Sequence, residues 1–284
     1  LLAEALGEVV PRGGCIGLPS GSETHLRLPL DSWASLRQRM DTCVLTDDAG
    51  ILRRLRLIKS EAEVQKIAAA CGVADAAFAR VPEIARAGTP LAQVFRAFQM
   101  LCLEEGADWV SSLAGGAGPG GYGDIIAPAT EAPLATGDVL MLDTGVVRDG
   151  YFSDFDRNWS VGQPSDATQG AYARLLEASD AGFAIARPGA TAADLFHAMD
   201  TVLTGGAGGS DAGRYGHGLG MQLTEWPSLI PDDHTVLEPG MVLTLEPGLT
   251  TDTGQTLVHE ENIVITDSGA RYLSTPAPRE ITVI

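Results

Sequence analysis

Apolar and polar positions alternate on both sides of Asp149-Gly150, within the stretch Val139 to Trp159, VLMLDTGVVRDGYFSDFDRNW. An Asp-Gly pair between two such runs predicts a β-hairpin, because a two-residue type I′ turn needs positive φ at both central positions. With Asp149-Gly150 as the loop, Asp143 faces Asp156 and Gly145 faces Asp154. Successive side chains point to opposite faces of a strand. Asp143, Asp154 and Asp156 therefore share one face, and Leu140, Leu142, Val146, Phe155 and Trp159 share the other. The apolar set predicts a face turned to the core. The acidic set puts three carboxylates within cross-strand reach. They repel one another unless a cation sits among them, or else they form a solvated acidic surface.

Helical periodicity frames this hairpin. Ser60 followed by Glu63 is a capping-box pattern, and Val64, Ile67, Cys71, Ala74 and Phe78 then recur at helical spacing. Thr89-Pro90 predicts a cap with Pro at the first helical position, and Gly106 stops that helix. The glycine-rich stretch Leu113 to Gly123 lacks both the strand–GxGxxG–helix context and a GK[ST] ending, which excludes a phosphate loop. Ser165-Asp166 and Thr191 open further helices, running through about Arg187 and Leu203. Gly205 to Gly213 predicts a flexible loop, and from Tyr215 the chain turns β-like. Before Ser60 the apolar runs at Cys15 to Leu18 and Cys43 to Thr46, with one helical segment near Ser32 to Met40, are too little for an independent core. Helices and antiparallel strands that segregate predict an α+β fold. A helix-helix-hairpin order followed by a helix-helix-sheet order predicts two related halves.

Composition narrows the function. A net charge of −18 and a pI near 4.5 exclude nucleic acid as partner, since phosphates need a basic patch, and disfavour an anionic membrane surface. No run approaches the ~20 apolar residues of a membrane span. Four cysteines without CxxC spacing predict reduced core thiols in a cytoplasmic protein. Leu1-Leu2 opens the chain with neither a basic signal-peptide region nor an initiator Met, which predicts a truncated or cleaved beginning. Trp109 and Trp226 are expected in the core, Tyr151 beside the acidic cluster, and Pro231 to His234 as a solvated turn.

Two later stretches supply further ligand chemistry. In Gly216-His217-Gly218-Leu219-Gly220, flanking glycines let backbone or a ligand approach the imidazole. Glu246 in LTLEPG and Glu260 in LVHEENIVIT sit at the ends of apolar strands. A lone His is commonly structural, and an acid ending a strand is commonly just exposed. Several such residues arriving together make a shared metal site.

The order Asp143, Asp154, His217, Glu246, Glu260, with its contexts LDTG, GYFSD, GHGLG, LEPG and HEENIVIT, resembles the pita-bread metallopeptidase family of aminopeptidase P, prolidase, methionine aminopeptidase and the metal-free relative creatinase. Ile58-Lys59-Ser60 with an acidic helix start resembles the opening of its catalytic domain. The resemblance covers about residues 52–284, and residues 1–51 resemble the end of a creatinase-type N-terminal domain. It implies a curved antiparallel sheet with helices on its outer face, pseudo-twofold halves and a homodimer. It also implies two divalent ions, manganese first, with cobalt, iron or zinc open. Asp154, His217 and Glu246 would hold one ion, Asp143 with Asp154 the other, and Glu260 would bridge. Glu246 would serve as base toward a water attacking an amide of a small peptide, of Xaa-Pro type.

The departures favour a second reading. Peptidases of this family carry a His seven residues after the ligand His, where this chain has Thr224, and another ahead of the first Asp, where it has Ile126. Asp156 stands where the family commonly has Thr. The missing histidines favour a small osmolyte-like substrate, as in creatinase or a dimethylsulfoniopropionate lyase; a non-catalytic binding module is a third reading, against which retention of all five ligands speaks. Asp156, Arg157 and Thr224 are expected to support the ligands from outside, with Arg157 neutralising Asp156 or another ligand carboxylate.

Overall fold

A helix absent from the sequence expectation, α1 (Leu2–Val9), begins the chain, whose computed structural model describes residues 1–21, 23–207 and 213–284. The predicted loop Gly205 to Gly213 thus falls mostly outside the described residues. The two early apolar runs form β1 (Cys15–Leu18) and β2 (Val44–Asp47), a parallel pair separated by α2 (Leu30–Arg39). Together with most of α3 (Ile51–Leu57) they make up one compact unit, Leu1–Arg56. No residue of these three helices is buried. Cys15 is exposed and Cys43 half-buried, so only Cys71 and Cys102 are core thiols, because this thin unit has no interior to receive the others.

The second unit is Leu57–Ile284. Ser60 caps α4 (Glu61–Ala79): its hydroxyl accepts from the Glu63 amide, and the Glu63 carboxylate accepts the Ser60 amide at 2.8 Å. Val64, Ile67, Cys71, Ala74 and Phe78 are all buried, as their spacing requires. After the short α5 (Val81–Ile84) comes α6 (Leu91–Glu104), with Pro90 as its N-cap instead of its first residue. The Leu91 and Ala92 amides donate to Ala132 and Thr130 carbonyls, so a neighbouring loop replaces the expected side-chain cap.

The glycine-rich stretch is mostly β3 (Trp109–Pro119). It is followed by the acidic hairpin, β4 (Asp138–Arg148), β5 (Tyr151–Phe152) and β6 (Phe155–Ser160). Helices α7 (Asp166–Ile185) and α8 (Ala192–Thr204) come next, capped by Ser165 and Thr191. The remainder is strands: β7 (His217–Gly218), β8 (Glu225–Ser228), β9 (Val242–Leu245), β10 (Gly248–Thr250), β11 (Thr256–Val258), β12 (Glu261–Ile265), β13 (Ala270–Tyr272) and β14 (Thr282–Val283).

Two five-stranded sheets result. One has the order β14-β6-β4-β3 with β5 on β4, antiparallel except for the β14–β6 pair, and the other has the order β13-β12-β9-β7-β8. Each has its own helix pair in sequence, α4 and α6 before the first, α7 and α8 before the second. Strand β4 feeds two cores. Leu140, Leu142 and Val146 pack with Phe155, Trp159 and residues of α4 and α6, where Phe78 contacts the Phe98 and Phe155 rings at 5.0 and 5.2 Å. Val139 and Met141, on the opposite face, pack with residues of α7, α8, β9 and β12. Trp109, opening β3, is 52% exposed, against expectation. The Pro231 to His234 turn is solvated as expected except at Asp233, whose buried carboxylate accepts the Ser228 and Thr235 amides at 2.9 Å each.

Candidate metal centre

The acidic hairpin has the register its turn demands. Asp149 and Gly150 have φ of 50° and 78°. Arg148 then pairs with Tyr151, Leu142 with Arg157 and Asp143 with Asp156, and the Ser153 amide donates to the Val146 carbonyl at 2.9 Å. Asp143 therefore follows Val139 and Met141 on the inner face of β4. Asp154 sits just before β6, buried.

The second sheet brings the other three side chains. His217 opens β7 at an irregularity in its pairing with β8, where His217 faces Ser228 and Gly218 faces Glu225. Bulges of this kind re-aim a side chain. The glycines on either side are required by close backbone: a Cβ on Gly216 would collide with the Thr244 carbonyl, and one on Gly218 with the Trp226 carbonyl. The buried imidazole keeps Nδ1 2.8 Å from the Gly218 carbonyl, which can only accept. Nδ1 is thus the protonated donor, and Nε2 is the nitrogen turned to the carboxylates. Glu246 follows β9, its amide bonded to the Tyr215 carbonyl at 2.9 Å, and Glu260 immediately precedes β12.

These residues converge. His217 Nε2 lies 3.3 Å from Asp154 Oδ2 and 3.8 Å from Glu246 Oε1. Ligand atoms of Asp154, His217 and Glu260 all fall within 4.8 Å of one another. The Glu246, Asp154 and Asp143 carboxylates lie close enough for their charges to act on Glu260. Burial drives the Asp143 and Glu260 carboxyls far above the usual range, and repulsion from the neighbouring acids adds to it. Burial also raises Glu246, against the pull of His217. For His217 burial opposes the charged ring, but Glu246 and Asp154 outweigh it and the pKa rises.

Two buried oxygens, Asp143 Oδ1 and Glu260 Oε1, accept no hydrogen bond among the described residues. Orphaned carboxylate oxygens and one imidazole nitrogen facing a common point form a donor set that suits divalent cations. Glu246 and Asp143 remain half-buried as residues, so the group is not closed on all sides.

A ladder of side-chain bonds joins β6 to the segment entering β12. The Asn158 amide donates to the Val258 carbonyl at 2.8 Å, Asp156 Oδ1 accepts the Glu260 amide at 3.0 Å, and Asn262 Oδ1 accepts the Asp154 amide at 3.0 Å. The Asn262 amide group also donates to the Asp154 carbonyl. Asp154 and Glu260 are thereby held across from each other by antiparallel pairs of residues whose strands belong to different sheets.

Some supporting roles differ from expectation. Arg157 does not pair with the Asp156 carboxylate. It meets Glu261 Oε2 at 3.0 Å and donates to the Asp156, Glu260 and Thr275 carbonyls, because its position on the outer face of β6 turns it toward α4. Burial raises the Glu261 carboxyl, but Arg157 and His259 together bring it down to about 2. Tyr151 points away from the cluster and donates to Glu63 Oε1 at 3.0 Å. Thr224 Oγ1 accepts from Arg214 at 3.4 Å, and Ile126 is 77% exposed.

Sequence reasoning missed a buried ion pair, Lys59 Nζ to Glu225 Oε2 at 3.0 Å, with side chains 3% and 5% exposed. Glu225 Oε1 also accepts the Met221 and Gln222 amides at 3.0 and 3.2 Å, which shapes the loop after His217. The only signal was an acid inside an apolar, Gly-rich loop. Removing one partner of such a pair leaves an uncompensated buried charge. Lys59→Met is expected to cost about 3–5 kcal/mol, read as a lowered midpoint in urea unfolding.

Comparison with known proteins places the chain in a family. The model of metallopeptidase family M24 matches residues 65–267. The uncharacterized peptidase YqhT of Bacillus subtilis is 32% identical over 262 residues, covering 89% of this chain and 72% of that protein. A Xaa-Pro dipeptidase of Pyrococcus furiosus is 31% identical over 238 residues, covering 81% of this chain, which spans 66% of that relative's length, just short of two thirds. The crystal structure of a prolidase from Pyrococcus horikoshii superposes with a TM-score of 0.86 at 26% identity, covering 99% of this chain and 79% of the other. The fold is the α+β pita-bread fold of those enzymes, and the chain belongs to metallopeptidase family M24.

Proposed function

We propose that this chain is a metal-dependent hydrolase that cleaves an amide bond in a short peptide, of Xaa-Pro type. The observation that carries the reading is the gathering of Asp143, Asp154, His217, Glu246 and Glu260, with buried oxygens that no hydrogen bond satisfies. Asp154, His217 and Glu246 would hold one divalent ion, Asp143 with Asp154 the other, and Glu260 would serve both. Bound there, the ions acidify water and polarise a carbonyl oxygen. The side chains do the rest. His217 Nδ1, tied to Gly218, keeps the ring from turning. Glu246, half-exposed beside the cluster, takes the proton of the attacking water and returns it to the leaving amine.

Residues 52–284 are the catalytic domain on this reading, and residues 1–51 the end of a creatinase-type N-terminal domain. The working form is a cytoplasmic homodimer loaded with manganese. A second reading, hydrolysis or elimination on a small osmolyte-like substrate, draws support from Thr224 and Ile126. Thr224 is held by Arg214 and Ile126 stands in solvent, so neither supplies the imidazole donor that peptidases of the family carry there.

Metal analysis of the purified chain, then assays with Xaa-Pro dipeptides, creatine-like compounds and sulfonium osmolytes in manganese, separates the readings. About two ions per chain with dipeptide cleavage is the expected result. Turnover of only the small compounds, with or without metal, transfers the assignment to the second reading, and no uptake of metal defeats the first.

A further inference from the structure

Beside the centre lies a second buried group of side chains that the proposed chemistry does not use. His259, 2% exposed, has Nδ1 3.7 Å from Asp156 Oδ1 and Nε2 3.4 Å from Glu261 Oε1. Its backbone amide is anchored on the Pro247 carbonyl at 3.1 Å, and the Tyr172 ring meets it edge-on at 6.4 Å. The Glu261 end is rigid: Oε1 accepts the Ala277 amide at 2.8 Å, and Oε2 meets Arg157 at 3.0 Å and the Ser274 hydroxyl. The Asp156 end is not. Its Oδ1 accepts the Glu260 amide at 3.0 Å, while its Oδ2 and His259 Nδ1 are buried without hydrogen bonds among the described residues.

Asp156 also faces Asp143 directly across the hairpin, with Asp154 two residues away. Like charges so placed push Asp156 out of line. The His259 ring is the polar group that answers this push from the other side.

We infer that His259 is a positioning residue for Glu260: its ring spans Asp156 and Glu261, keeps Asp156 aimed at the Glu260 amide, and so sets where the Glu260 carboxylate enters the centre. The inference rests on the metal-centre reading above. It assigns His259 no contact with substrate or metal. Groups that orient metal-bearing side chains in this way are typically worth 10–100-fold in metal affinity.

The test uses His259→Gln and His259→Asn, Asp156→Ala, and the double variant of His259→Gln with Asp156→Ala. Manganese affinity is read by calorimetry, and hydrogen exchange at the Glu260 amide is read without metal. His259→Gln is expected to weaken manganese binding about 10–100-fold and to speed exchange at the Glu260 amide. Because His259 acts through Asp156, the double variant is expected to bind within about twofold of Asp156→Ala alone. Manganese affinity unchanged in His259→Gln, or losses that multiply in the double variant, overturn the inference. His259→Asn serves if His259→Gln does not fold. If the unsubstituted chain takes up no manganese, the metal-centre reading falls, while exchange at the Glu260 amide still judges the positioning role.

Discussion

In the presence of a chelator, a Glu260→Gln chain unfolds about 2–10 °C above the unsubstituted one, and with saturating manganese the order reverses. Glu260 is buried with one oxygen that accepts nothing, among Asp143, Asp154, Asp156 and Glu246, all of which repel it. Burial and repulsion together raise its pKa in the folded state. An acid raised by folding costs stability above its unfolded pKa, because the unfolded chain is then the better place for the charge. A glutamine has the same shape, carries no charge and offers N–H donors to the neighbouring carboxylates. The expected gain is about 1–3 kcal/mol at neutral pH, and it fades as the pH falls toward about 4, where the unfolded glutamate also protonates. Manganese binding needs that same charge, so the stabilised variant is the one that loses it. Thermal unfolding in chelator and in manganese, at pH 4 and pH 7.5, reads both halves of the prediction. A Glu260→Gln chain that is less stable in chelator and still gains stability with manganese would remove Glu260 from the centre.

Glu246→Gln is expected to lower kcat by about 10²–10⁴-fold with little change in KM, the range for losing a positioned general base. The substitution keeps a carbonyl oxygen where the carboxylate was, so at least one ion remains measurable by calorimetry. Steady-state kinetics on whichever substrate the unsubstituted chain cleaves gives the answer. A kcat within a few-fold of the unsubstituted chain transfers the proton to another group.

Much of this was legible from local signals. Asp149-Gly150 specified both φ values of the turn, and a two-residue turn leaves one register for the strands around it. The Ser60 capping box and the spacing from Val64 to Phe78 needed nothing beyond α4 itself. The ladder between β6 and β12 was not legible. It joins residues a hundred positions apart, through Asn, Asp and backbone groups that carry no periodic signal. For the same reason the sequence leaves the partner of Arg157 open between Asp156, whose carboxyl burial raises and the Arg157 charge does lower, and another carboxylate. Asp156 is its neighbour in sequence, but alternation along β6 sends the guanidinium to the other face, where Glu261 meets it. Lys59 and Glu225 are a further long-range pair, each ordinary in its own context. The exposed Trp109 is the opposite case: its hydrophobicity predicts burial, but it opens the edge strand β3.

Asp143 and Asp154 belong to the hairpin of one sheet, while His217, Glu246 and Glu260 come from the other. On the proposed assignment each ion draws donors from both halves, Asp154 with His217 and Glu246 for one, Asp143 and Asp154 with Glu260 for the other. Full metal uptake is therefore expected late in refolding, gated by docking of the two halves. A metal-sensitive signal in a stopped-flow experiment would time that docking step directly, with no label attached to the chain.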